Sequence, residues 1–193
     1  MDFLENLHYS LDTKRIYIGN DKVRFILGEP APANNILVIG VNPSTADDKK
    51  DDPTIRRVRQ FINSTGGIDG WIMVNPYPYR TAKVKKLPDN CNNYLVEENL
   101  RIINEITKKY NVNYVWAGWG SGIDQKEYLW ECLYRLIRSL PTSLKWLSRP
   151  GLSKQGNVIH PFCPFGEVKL ISFDIISHLR NKGFSDDHID IIN

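Results

Sequence analysis

The chain has 193 residues, 41% of them hydrophobic and 24% charged, with a formal net charge of +3 at neutral pH. That length suits a single domain with a sizeable core, and the mild charge permits a nucleic-acid partner without arguing for one. No apolar run approaches the ~20 residues that span a bilayer, and no signal peptide opens the chain, so no membrane association is expected and the expected setting is the cytoplasm.

In chain order, Arg15–Ile18 and Val23–Leu27 flank Gly19-Asn20-Asp21 and predict a β-hairpin within residues 1–35. The run Ile36–Ile39 is apolar without alternation, which predicts a central parallel strand buried on both faces. It breaks at Gly40-Val41-Asn42-Pro43-Ser44, either an ordinary turn or the mouth of a site at the carboxyl end of a strand. The acidic loop Asp47–Asp52 offers Asp47, Asp48, Asp51 and Asp52 either to solvent or, less simply, to a hard metal. Asp52-Pro53 predicts a helix start and Ile55, Val58 and Ile62 its buried stripe; Gly66-Gly67 predicts its end. Arg56, Arg57 and Arg59 lie off that stripe, open to phosphates or to solvent.

Trp71–Val74 repeats the pattern as a second strand, again ending in Asn-Pro at Asn75-Pro76. An amide offers both a donor and an acceptor, which suits the edge of a nucleobase. Tyr77 and Tyr79 either stack on such a ring or pack the loop. Arg80 and Lys83 add positive charge in the loop that follows. A helix is predicted from Asn92 or Asn93, with Val96, Leu100, Ile103 and Ile106 buried. Val112–Gly120 predicts a third strand ending in Trp119-Gly120, and Asp124 is placed as cap of a helix with stripe Leu129, Leu133, Leu136, Ile137 and Leu140. A fourth strand is placed at Asn157–Pro161. The segment Val168–Lys182 is strand or helix, with helix favoured in its second half.

Strands alternating with helices predict a three-layer α/β/α sandwich around a mainly parallel sheet. The layout is one domain: 1–35 a hairpin extension, 36–182 the core, 183–193 a tail. The dinucleotide glycine fingerprint and the phosphate loop are absent, and Cys91, Cys132 and Cys163 form no CxxC pair. No cofactor or metal is expected, and the expected assembly is a monomer.

Taken together, Gly40-Val-Asn-Pro43, Asn75, Trp119-Gly120 and His160-Pro161 resemble the motifs of the uracil-DNA glycosylase superfamily in order and approximate spacing. Asn42-Pro-Ser-Thr-Ala-Asp47 with Asp52-Pro-Thr54 more narrowly resembles the domain-of-unknown-function 1643 family. The glycosylase resemblance implies that the chain flips a pyrimidine-type base from duplex DNA and hydrolyses its N-glycosidic bond, in repair or in defence against modified phage DNA. It implies that Asn42 positions the attacking water, as in the mismatch-type branch, and that His160 donates to the departing base. It implies that Asn75 reads the base, with Gly40, Val41, Pro43, Ser44, Tyr77, Trp119 and Gly120 around it. Arg56, Arg57, Arg80, Lys83 and Phe162 would meet the DNA. In strict uracil enzymes the residue at Ser44 is a tyrosine that excludes substituents at pyrimidine C5; serine implies room for a C5-modified base. The serine-rich stretch expected after His-Pro is instead Phe162-Cys-Pro-Phe-Gly166, whose phenylalanines are either a wedge or core. Rival readings are a nucleoside or nucleotide hydrolase or transferase, a non-catalytic nucleic-acid or nucleotide binder, and a metal enzyme built on the acidic loop. The leading reading hangs on Asn42, Asn75 and His160 converging on one hollow, and it falls if the three point to separate faces of the molecule.

Overall fold

The computed structural model describes residues 3–11 and 14–185, so most of the predicted tail, residues 186–193, lies outside the described residues. Eight strands form one sheet in the order β1-β2-β3-β5-β4-β6-β7-β8: β1 His8–Leu11, β2 Ile16–Gly19, β3 Arg24–Glu29, β4 Asn35–Ile39, β5 Gly70–Val74, β6 Val112–Ala117, β7 Lys145–Ser148 and β8 Ile171–Ser172. The middle strands β5, β4, β6 and β7 run parallel, and the flanking pairs are antiparallel. The predicted hairpin exists as β2–β3, and β3 pairs with β5, so it continues the main sheet.

Alternate residues of β4 enter two different cores. Ile36 and Val38 pack with Ile55, Val58, Phe61 and Ile62 of helix α1 (Pro53–Ser64). Leu37 and Ile39 pack on the other face with α2 (Asn93–Lys109), α3 (Tyr128–Ser139) and α4 (Ile175–Asn181). This is why the β4 run reads as continuously apolar: both of its faces are covered. Two helix starts are locally encoded. Asp52 accepts from Ile55 N–H at 3.0 Å with Pro53 in the first turn, and Asn92 accepts from Leu95 N–H at 3.2 Å.

Two expectations are corrected. The fourth parallel strand is Lys145–Ser148; Asn157–Pro161 is a loop whose only pairing is an isolated bridge, Leu152 to Val158. Asp124 caps no helix: α3 starts without a side-chain cap, and Asp124 accepts from Trp130 Nε1 and Asn157 Nδ2. In Val168–Lys182 the helix favoured for the second half is α4, and the short strand β8 precedes it. No helix among the described residues is long and apolar enough to cross a membrane.

Candidate functional site

Because Ile39 is in register with Val74 and with Ala117, and Ala117 with Ser148, the residues that follow the four parallel strands emerge at one edge. There a cavity of about 470 Å³ is lined by Val41, Asn42, Ser44, Thr54, residues 81–85, Trp119–Gly122, Gln125 and His160. Asn42 and His160 thus share one hollow.

The Asn42 amide has a defined orientation. Its Nδ2 donates to Thr81 O at 2.8 Å, Thr81 Oγ1 at 3.0 Å and Pro43 O at 3.1 Å. Two of these partners are carbonyls, which accept only, so the nitrogen must face them. Oδ1 is left without a partner among the described residues, on a side chain that lines the cavity. The loop that carries Asn42 is clamped by Arg80. Its guanidinium donates to Ser44 O, Thr45 O, Ala46 O, Asn20 O and Tyr17 Oη at 3.0–3.3 Å.

His160 forms the opposite wall. Phe162 N–H donates to His160 Nδ1 at 3.2 Å. Burial pushes the imidazole down to about 4; the Asp52 carboxylate opposes that shift and Arg149 adds to it. The ring is therefore neutral at physiological pH, and with Nδ1 accepting, the proton sits on Nε2. Gly120 makes this placement possible. Its φ of +62° favours glycine, and a Cβ there would lie 2.8 Å from His160 Cβ. A second arginine clamps this loop. Buried Arg149 donates to His160 O at 3.1 Å and Cys163 O at 2.8 Å, and also to Phe165 O. Nothing in the sequence pointed to Arg149, whose partners lie 11–16 positions further along the chain.

The other expected site residues separate. Val41, Ser44, Lys83, Trp119 and Gly120 line the cavity; Gly40, Pro43, Asn75 and Tyr77 do not. Asn75 is 1% exposed, and both polar atoms of its amide lack a partner among the described residues. It fills the space beside Gly40, where a Cβ would come within 2.7 Å of Asn75 Oδ1 and 2.5 Å of Met73 Cε. The expected convergence therefore holds for Asn42 and His160 but not for Asn75. Tyr77 is core: its ring packs against Tyr79 and Tyr128, and its oxygen accepts from Asn92 N–H at 3.2 Å. Trp119 is fully buried, with its Nε1 unpaired.

Among the candidate DNA contacts, Arg80 is committed to its loop. Arg57 lies over the Phe61 ring at 5.2 Å and donates to Gln60, while Arg56 is exposed and donates to Asp51 O. Lys83 and Lys85 are exposed on the cavity rim and join no ion pair among the described residues, and no carboxylate lines the cavity. Phe162 and Phe165 are 54% and 80% exposed, so neither is core. The acidic loop is built into the fold. Arg15 and Arg59 each bridge Glu29 and Asp51 at 2.6–2.9 Å. Burial raises these two carboxyls, but the hydrogen bonds and charges of Arg59 and Arg15 together outweigh it and hold both below the usual range. Asp47 accepts from Lys49 and Lys50 N–H, and Asp52 caps α1. No cluster of three metal-ligating side chains occurs among the described residues.

Fold and site together define a mixed α/β domain with a polar cavity at the carboxyl edge of its parallel strands. The chain belongs to a family described as "Protein of unknown function (DUF1643)", whose model matches residues 24–162, more than two thirds of the chain. Every residue lining the cavity falls inside that span. No curated protein and no solved structure matches the chain.

Proposed function

We propose that this protein is a DNA glycosylase that hydrolyses the N-glycosidic bond of a flipped, C5-substituted pyrimidine. The observation that carries the reading is that one cavity is lined both by Asn42, whose Oδ1 is left as an acceptor, and by His160, whose Nε2–H is left as a donor. Water donates a hydrogen bond to Asn42 Oδ1 and presents its lone pair to the sugar C1′. As the water oxygen bonds to C1′, the C–N bond breaks and its electron pair leaves with the base. The negative charge on the base oxygen meets His160 Nε2–H, a donor aimed where charge develops. The departing base takes up a proton from solvent, and the water releases one. An amide does not remove protons, so the rate rests on leaving-group stabilisation; one such donor contributes roughly 3 kcal/mol.

Exposed Lys83 and Lys85 on a rim without carboxylates suit the sugar-phosphate backbone of the DNA partner. Exposed Phe162 and Phe165 beside His160 suit a ring inserted where the base has left. Helices on both faces of the sheet support a three-layer α/β/α sandwich of the uracil-DNA glycosylase kind, and the proposed setting is a monomer in the cytoplasm. The test is mass spectrometry of bases freed from duplexes carrying uracil, mismatched thymine and bulky C5-modified cytosines. Release of a modified base, lowered about 10²–10³-fold in Asn42→Ala while DNA binding persists, supports the reading. Turnover of free nucleosides or nucleotides alone replaces it with a nucleotide hydrolase or transferase. Binding without release in the wild type leaves a nucleic-acid binder.

A further inference from the structure

The cavity does not end at Ser44. Ser44, Thr81 and Ala82 line both it and an adjoining groove of about 270 Å³, completed by Asp21, Thr45 and Arg80. Taking the glycosylase reading as its basis, we propose that the target base carries a neutral, hydroxyl-rich substituent of monosaccharide size, seated in this groove.

The two ends of the trough differ in charge. The cavity rim has Lys83 and Lys85 and no carboxylate; the groove has a single carboxylate, Asp21, beside the Arg80 guanidinium. Those opposite charges offset each other, which selects against a strongly anionic or cationic substituent. What remains is hydrogen bonding. The Asp21 carboxylate, Ser44 Oγ and Thr45 Oγ1 make no hydrogen bond or ion pair among the described residues, whereas Thr81 Oγ1 is already engaged with Asn42 and Lys83. A carboxylate that only accepts, next to two hydroxyls that do both, is complementary to a cluster of ligand hydroxyls. The groove walls are held in place. Arg80 binds the carbonyls of Ser44, Thr45 and Ala46 on one side and of Asn20, in the β2–β3 turn, on the other. A pinned groove loses little entropy on binding. The hairpin thereby acquires a role, since its turn delivers Asp21.

The test uses the full chain and duplexes of one sequence with a single cytosine bearing, at C5, hydrogen, hydroxymethyl, hexosyl-hydroxymethyl or an aminoalkyl group. Expected is a kcat/KM for the hexosylated base about tenfold or more above that for hydroxymethyl, the scale of one or two hydrogen bonds. Asp21→Ala and Thr45→Val, both at exposed positions, should each erase most of that advantage and leave the hydroxymethyl rate unchanged. Equal rates for the two substituents, a preference for the aminoalkyl base, or an advantage that survives both substitutions overturns the proposal. Release from hydroxymethylcytosine with none from the hexosylated base overturns the groove while the glycosylase reading stands. No release from any duplex overturns both.

Discussion

Asn42 and Asn75 each precede a proline at the end of a parallel strand, yet one faces a cavity and the other is sealed in the sheet. The difference is the spacing from the strand end. Asn75 directly follows Val74, the last residue of β5, so its side chain is still level with the sheet. Asn42 follows β4 after two more residues, and Gly40 N–H still pairs with Val74 O at 2.9 Å, so the ladder ends just before it. Gly40, lacking a Cβ, is what lets Asn75 occupy that level. The two-residue offset lifts Asn42 clear and hands it to Thr81. Repetition of a dipeptide therefore does not repeat its role; the distance past the last ladder bond decides whether the amide meets ligand or backbone.

The strongest way to break this contrast is at Asn42. Asn42→Ala should lower base release by about 10²–10³-fold, the scale of losing one oriented polar group at a reacting centre. Asn42→Asp should fare no better, although a carboxylate is the stronger base. Its oxygen would face the carbonyls of Thr81 and Pro43, where an N–H now donates, and replacing attraction by repulsion in a half-buried site should destabilise the fold by about 2 kcal/mol. Urea denaturation beside a release assay reads both effects. A faster Asn42→Asp enzyme would show that the amide orientation described above is wrong.

The opposite wall gives a pH signature. His160 and His178 are both depressed to about 4, each mainly by burial, against about 6.5 when unfolded. Between those values the unfolded chain binds more protons than the folded one. Stability is therefore full above about pH 6.5 and falls as pH drops toward 4. Release should hold its value across that window, because His160 stays neutral and keeps its bond from Phe162 N–H. Denaturation midpoints and kcat measured from pH 4 to 8 should separate accordingly. A kinetic inflection near 6.5 would mean the ring is solvated, and the neutral-donor role would fall.

Much of this was readable because it is local. β4, β5 and β6 are short apolar runs, and Asp52-Pro53 and Asn92 encode their own caps. Asn42 and His160 line one cavity, although His160 sits on a loop and not at a strand tip. What escaped was long-range. Lys145–Ser148 was missed as a strand because it is only partly covered and short, so its apolar pattern is weak. Arg80 resembled a phosphate contact because charge in a sequence does not name its partner, and here the partners are carbonyls of a loop some 35 residues earlier. Arg149 escaped for the same reason. Asp124 had the composition of a cap, but a short 3₁₀ turn over Gly120–Gln125 pushes the α3 start beyond its reach.

Asn75 yields a smaller, opposite effect. With both amide atoms buried and unpaired, the same-shaped apolar Asn75→Leu should gain about 1 kcal/mol of stability and leave release near wild type, whereas loss of base discrimination would return Asn75 to the site.

Tyr77→Phe should do least. The phenol oxygen accepts one bond, from Asn92 N–H at 3.2 Å, in the segment that starts α2. Losing it should cost about 0.5–1.5 kcal/mol, since the ring and its contacts with Tyr79 and Tyr128 stay. Burial pushes this phenol's pKa up, so it is neutral throughout the assay range and its removal adds no pH dependence. Base release should match the wild type for every C5 substituent. A selective loss for one substrate would mean that a ring only 1% exposed opens when DNA binds, and that the Tyr77 loop, as well as the Asn42 loop, closes on the base.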